Sequence, residues 1–331
     1  MTKVLSALTA MLAVAGGLSA AAPKTKVKIA LIVAATVDDH GWCQAMNDAI
    51  LAEQKKYPGK IDYIKSEKMN PTDAGAAAQR FAADHCDLVI LHGSQYGSQT
   101  KDAAMAFPGT TFVQGTSDKI VGANVFTYMP ESEQTGYLNG IIAGMVTTSG
   151  QVGIVGPKDL GDAARYDRGF KLGALAANPK VQVKIGYTND FSDVIKSAEL
   201  AQAHINAGAD FLTGSAQQAM GALRAVAGRK DKTIWWVGQD FAQLNGPEAV
   251  RVIAASSYDY TKVLEILFDK HNQGVKGGEN IPLTFGNQGF DYRFNDKVGK
   301  VLTPAIKKAV NQAKADLASG KLTVAYKDVK F

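Results

Sequence analysis

Short unbroken apolar runs alternate with helical stretches along almost the whole chain, and this alternation limits the possible folds most tightly. KIALIVA (28–34), DLVIL (87–91), TTFVQG (110–115) and NVFTY (124–128) are apolar on both faces rather than at every second residue. A strand of that kind must be covered on both sides, as in a parallel sheet flanked by helices. The stretches between them fit that role. WCQAMNDAILAEQKKY (42–57) stops at Pro58-Gly59, and PTDAGAAAQRFAADH (71–85) has helical periodicity; IDYI (61–64) adds a strand. The second half repeats the scheme. QVGIVG (151–156), VQVKIGYT (181–188), DFLTGS (210–215) and TIWWVGQD (233–240) read as strands. The stretches 165–179, 194–209 and 216–229 read as helices. The pattern predicts an α/β chain built on parallel sheets.

One internal echo divides the chain in two. AAAQRFAADHCDLVILHGSQ in the first half and AELAQAHINAGADFLTGSAQ in the second are each an alanine-rich helix, then Asp, then an apolar strand, then Gly-Ser. Chance likeness of two alanine-rich helices is the alternative, but the shared ending favours duplication and two similar doubly wound lobes. In such sheets ligands lie beyond the carboxyl ends of the strands. The loops 35–42, 93–98, 115–118, 157–166, 188–193, 214–218 and 239–243 are therefore the candidate site, facing each other across a cleft.

The ends and composition set further expectations. MTKVLSALTAMLAVAGGLSA has one early charge, Lys3, then an apolar stretch and small residues, the pattern of a secretory signal peptide cut near Ala20–Ala22. Residues 1–22 are read as that leader, which contains no cysteine for a lipid anchor. Removal leaves roughly 310 residues, enough for two domains. A periplasmic location is expected. The formal net charge of +5 is scattered, so no nucleic-acid partner is expected. Cys43 should open one helix and Cys86 close another, at ends about 20 Å apart, too far to pair. No Cys/His spacing suits zinc, and no metal or cofactor is expected. G-x-S-x-G, a P-loop and G-x-G-x-x-G after the first strand are all missing, so no catalytic residues are assigned.

Several residues stand at strand ends. Trp42, in the first helical turn after the first strand, is either a stacking face for a flat ring or a core residue. Asp39 is placed to cap that helix, and His40 reads as a surface loop residue. Ser94 and Tyr96 lie in a loop whose glycines can simply make turns. Tyr166 begins a helix beside the loop after QVGIVG, and Phe191 lies in NDFSD; ordinary packing is the alternative for both. Asp240 ends WWVGQD, where it can cap a helix or accept hydrogen bonds from a ligand. Trp235 and Trp236 point to opposite faces and belong to the core.

NVFTYMPESEQTGYLNGIIAGMVTTSGQVGIVGP (124–157), with Glu133, Gly136-Tyr137-Leu138 and Gly140, is followed by ARYDRGFKLGALAANP (164–179). NDFSD (189–193), AGAD (207–210) and VGQD (237–240) come next in order. Together these resemble the basic membrane protein family, substrate-binding proteins of ABC transporters similar to the purine nucleoside receptor lipoproteins. The resemblance implies a type I periplasmic-binding fold, two lobes joined by hinge strands that cross near 125–129, 250–258 and 284–290. The lobes would be 23–125 plus 257–285 and 126–256 plus 286–331. It implies a monomer that captures a purine base or nucleoside, hands it to an ABC permease in the inner membrane, and has no enzymatic activity. Trp42, Tyr166 and Phe191 fall on the family's aromatic positions and Asp240 on its acid. Val33-Ala34 stands where the nucleoside receptors carry Asp-Asn, and Asp259 where they carry Lys. A different heteroaromatic solute such as a flavin, or an exported α/β hydrolase, is the alternative.

Overall fold

The structure, a computed structural model, describes residues 22–39 and 41–331. The expected leader, up to residue 21, and His40 lie outside the described residues. Each apolar run forms a strand. The first set is β1 (Val27–Ile32), β2 (Ile61–Ser66), β3 (Leu88–Leu91), β4 (Thr111–Gly115) and β5 (Val125–Pro130), with α1 (Trp42–Lys56), α2 (Pro71–Ala83) and α3 (Gly97–Ala106) between. The second set opens with α4 (Glu133–Val146) and holds β6 (Gln151–Gly156), β7 (Gln182–Tyr187), β8 (Phe211–Gly214), β9 (Trp235–Gly238) and β10 (Val252–Tyr258). Its helices are α5 (Gly161–Ala177), α6 (Val194–Asn206) and α7 (Ala219–Gly228). Then follow α8 (Thr261–Asn272), β11 (Asn280–Leu283), β12 (Phe290–Phe294) and α9 (Pro304–Ala318). No helix among the described residues is long and apolar enough to cross a membrane.

The strands assemble as β2-β1-β3-β4-β5-β11 and as β7-β6-β8-β9-β10-β12. The first five of each sheet have the same order, and β12 closes the second sheet antiparallel to β10. The matching acids of the sequence echo serve matching purposes. Asp87 accepts the Lys28 backbone N–H at the start of β1, at 2.8 Å. Asp210 accepts the N–H groups of Thr148 and Ser149 just ahead of β6, both at 2.8 Å. Each carboxylate ties the first strand of its lobe to the third.

One face of each sheet contributes to a single continuous core, with Ile29, Leu31 and Phe126 from the first and Ile154, Val237 and Ile253 from the second. The other faces carry separate cores, Val89 and Leu91 beneath α2 and α3, and Leu212 and Trp236 beneath α6 and α7. Trp236 is fully buried and donates its Nε1–H to Gln243 at 2.9 Å, while Trp235 is half-buried against the continuous core. Cys43 and Cys86 are both free and buried.

The expected lobe boundary at residue 125 shifts. β5 pairs with β4 over Val125–Tyr128 and with β11 over Thr127–Pro130, so it belongs wholly to the first sheet. The chain therefore passes to the second lobe beyond Pro130, at the turn into α4. It returns after Tyr258, where β10 ends, and crosses again between Leu283 and Phe290.

Glycines bring α4 and α5 into backbone contact. A Cβ on Gly140 would overlap the Phe170 carbonyl, and one on Gly173 would overlap the Tyr137 carbonyl; Gly136 and Gly169 are equally closed. This contact gives a physical reason for the glycines of the two motifs, and it holds the N-terminus of α5 at the strand ends. Gly173→Ala is expected to destabilise the protein by about 1–3 kcal/mol, the usual cost of overpacking. Gly228→Ala in α7 meets no atom within 4 Å and should be neutral or stabilising by up to about 1 kcal/mol. Thermal unfolding of the two variants checks the pair.

Candidate functional site

The carboxyl ends of the two sheets face each other, and the loops that leave them line a narrow cleft with a cavity volume of about 40 Å³. The first lobe contributes Ala34 after β1, Trp42 at the start of α1, His92 and Ser94 after β3, and Thr116 after β4. The second contributes Asp162 in the first turn of α5, Phe191 after β7, Gln217 after β8, and Asp240 after β9. Tyr258 enters from the end of β10, where the chain returns to the first lobe. Thr116 (φ +55°) and Ala216 (φ +62°) both line this cleft and hold a left-handed backbone without being glycine. Such residues cost about 1–3 kcal/mol each and persist where surrounding structure imposes them. The lobes touch across the cleft: Gln217 Nε2 donates to Cys43 Sγ at 3.3 Å.

Trp42 is set by the turn before it. The Asp39 carboxylate accepts the N–H groups of Gly41, Cys43 and Gln44 at 3.0–3.1 Å, so it closes the N-terminus of α1. The indole then lies on the His92 ring, centroids 4.5 Å apart and planes 17° from parallel. Tyr258 and Tyr260 meet it edge-on, at 5.1 and 5.5 Å.

Two carboxylates come from the second lobe. Asp240 accepts the Ala242 N–H at 2.7 Å. Burial pushes its carboxyl up to about 7; that N–H works against the rise, and Asp39 and Asp48 of the facing lobe add to it. Asp162 accepts the Tyr258 hydroxyl at 3.0 Å. Burial raises it to about 6, against the pull of that hydroxyl. No lysine or arginine is among the described residues that line the cleft. The site therefore offers an aromatic face, amide groups and hydrogen-bond acceptors, and no positive charge.

Of the residues named from sequence, Trp42, Ser94, Phe191 and Asp240 come together in this cleft. Three do not. Tyr96 is fully buried in the first lobe, its hydroxyl donating to the Met69 carbonyl at 2.6 Å. Tyr166 is fully buried in the second, its hydroxyl 2.6 Å from Thr213 Oγ1 and taking the Asn139 amide at 2.8 Å. Asp259 lies in the neighbouring groove, where its carboxylate accepts the Thr261 N–H at the start of α8. His92, Asp162 and Tyr258 are at the cleft and were not named from sequence. The signal for Asp162 was the sequence GDAAR just after a strand: α5 begins at Gly161 rather than 165, so Asp162 opens the helix and Tyr166 lies more than a turn inside it.

The family model for PnrA-like ABC transporter substrate-binding proteins matches residues 26–292. The chain is 26% identical over 262 residues to the ABC transporter nucleoside-binding protein BmpA of Lactococcus lactis subsp. cremoris, 73% of each protein. It is 26% identical over 195 residues to a purine-binding protein of Brucella abortus, 59% of this chain and 55% of that one. A solved solute-binding protein of an ABC transporter system from Conexibacter woesei is similar in fold, with a TM-score of 0.70 at 25% identity over 91% of this chain and 99% of that chain.

The two raised carboxyls give the free protein a pH dependence. A carboxyl whose folded pKa lies above its unfolded value binds more protons when folded, so its contribution to stability is full below the unfolded pKa and lost as pH rises through the folded one. For Asp240 that window runs from about 4 to about 7. Asp240→Asn keeps an oxygen for the Ala242 N–H and removes the buried charge. It should raise the melting temperature of the ligand-free protein at pH 8 by about 2–4 °C, and leave it nearly unchanged at pH 4. A lower midpoint at pH 8 would contradict this electrostatic account.

Proposed function

The chain belongs to the PnrA-like family of ABC transporter substrate-binding proteins, and on that premise we propose that it captures a purine base or nucleoside outside the cytoplasm and delivers it to a membrane permease. The observation that carries the reading is the make-up of the cleft: an indole from one lobe opposite two carboxylates from the other, with no cation among the described residues that line it. A purine has a flat face for the indole and N–H groups at its edge for carboxylates and amides. A ligand that touches Trp42 and Asp240 together holds the lobes closed, and closure is the event a transporter can sense. The lack of positive charge favours nucleosides over nucleotides, because a phosphate would meet two carboxylates and no cation among the described residues that line the cleft.

Binding rather than hydrolysis is supported by His92, the one histidine among the described residues at the cleft. Its two nitrogens are engaged by the Trp42 carbonyl and the Tyr128 hydroxyl, which leaves neither to serve Ser94 as a base. A periplasmic location and a monomeric state belong to the same proposal.

Thermal-shift and calorimetric screening with adenine, adenosine, guanosine, AMP, riboflavin, ribose and glucose tests the reading. A ligand at about 100 times its Kd stabilises the protein by about 2.7 kcal/mol. The bases or nucleosides should bind, and AMP should bind at least tenfold more weakly than adenosine. Trp42→Ala should cost about 1–3 kcal/mol, the worth of a base stacked on an aromatic ring. Asp240→Asn should cost about 1.5–3 kcal/mol from lost charge-assisted bonds. A screen in which only ribose or glucose binds would replace the purine reading with a sugar.

A further inference from the structure

Trp42 and His92 hold each other in a way that their stacking alone does not describe. The Trp42 indole Nε1–H donates to the His92 carbonyl at 3.3 Å. The His92 ring, in return, bonds through Nε2 to the Trp42 carbonyl at 2.9 Å. Each side chain is thus anchored on the other's backbone while the two rings lie face to face at 4.5 Å. A carbonyl can only accept, so Nε2 carries the proton and Nδ1 is bare. Nδ1 faces the Tyr128 hydroxyl, which then donates to it. Tyr128 is itself wedged against Gly115, where a Cβ would overlap the phenol. Tyr260 stands edge-on to both rings, 5.5 Å from the indole and 5.2 Å from the imidazole. The residue after β3, the first residue of α1 and a tyrosine of β5 therefore form one assembly at the floor of the cleft.

We infer that His92 is a positioning residue for ligand capture: it fixes the plane of the Trp42 indole, so that one face is occupied and the opposite face is presented to a flat ligand in a set orientation. This deepens the purine reading and rests on it. His92 is 1% exposed, so it acts through Trp42 rather than by offering a polar edge to the ligand. Burial holds its imidazole down to about 3, so the support stays neutral across the physiological range. A ring already held in its binding geometry loses little conformational freedom when the ligand arrives, which is the source of the expected affinity.

The test uses protein labelled with 5-fluorotryptophan, whose three tryptophans give three fluorine resonances. The Trp42 signal is assigned by its loss in Trp42→Phe. In the ligand-free wild type it should be a single sharp line. In His92→Leu it should shift and broaden or split while the Trp235 and Trp236 lines stay in place. Adenosine affinity should fall at least fivefold in the same variant, with His92→Phe, which restores a flat ring, between the two. An unmoved Trp42 line overturns the inference, and so does a displaced line with wild-type adenosine affinity. If His92→Leu does not fold, Tyr128→Phe decides: it removes only the bond to Nδ1, and it should displace the Trp42 line in the same direction by less, an unmoved line again being fatal. Failure of the wild type to bind adenosine counts against the purine reading instead, and the fluorine spectra then decide the role of His92 alone.

Discussion

The constraint on which the cleft depends is that parallel strands all end on the same side. With two such sheets set end to end, every strand-end loop and the N-terminus of every following helix converge between the lobes. Helix N-termini carry free N–H groups and a partial positive charge, and they are ready sites for anions. Here the protein fills two of them itself. Asp39 closes the N-terminus of α1 with three backbone N–H bonds, and Asp162 occupies the first turn of α5. The positive ends of α1 and α5 are thereby spent on internal carboxylates. What remains among the charged groups of the cleft is an excess of acceptors, and the proposal of a donor-rich neutral ring rather than a phosphate rests on this.

Much of the fold was legible because it rests on patterns of length and polarity. A run that is apolar on both faces has few places to go other than the middle of a covered sheet. The repeated helix–Asp–strand unit carried its own check, because Asp87 and Asp210 each fix the register between the first and third strands of a lobe. The crossing points were harder to see. β5 is as apolar as an interior strand whichever lobe it joins, and only its pairing, with β4 on one side and with β11 from more than a hundred residues away on the other, assigns it to the first sheet.

The site was legible at the level of loops and less so at the level of side chains. Trp42, Ser94, Phe191 and Asp240 lie in the cleft because strand-end loops lead there. Tyr96 and Tyr166 lie on the same segments, but each phenol turns inward, where a carbonyl or a pair of polar side chains satisfies it. Spacing does not report that choice, since a tyrosine with a buried partner and one facing a cleft look alike in sequence. Asp259 came from the resemblance alone, and it serves the start of α8 instead. His92 and Tyr258 were missed for the opposite reason. Each is one residue at a strand end, unremarkable by itself, and their importance comes from rings contributed by segments far apart in the chain.

On the proposed function, the carboxylates that would select the ligand also make the closed cleft unfavourable when empty. Bringing the lobes together desolvates Asp240 and Asp162 and sets Asp240 near Asp39 and Asp48 of the other lobe, with nothing positive on the described cleft surface to compensate. Raised carboxyl pKa values are the signature of that imbalance. Contacts such as the Gln217 amide on the Cys43 sulfur pull the lobes together only weakly. A ligand that donates N–H groups to the acids while its face lies on Trp42 relieves the imbalance and adds contacts to both lobes at once. Its affinity for the closed form then exceeds its affinity for the open form, and only that difference can shift the population. In that proposal selectivity and closure have one physical origin, because a solute that cannot satisfy the acids cannot stabilise the closed arrangement either.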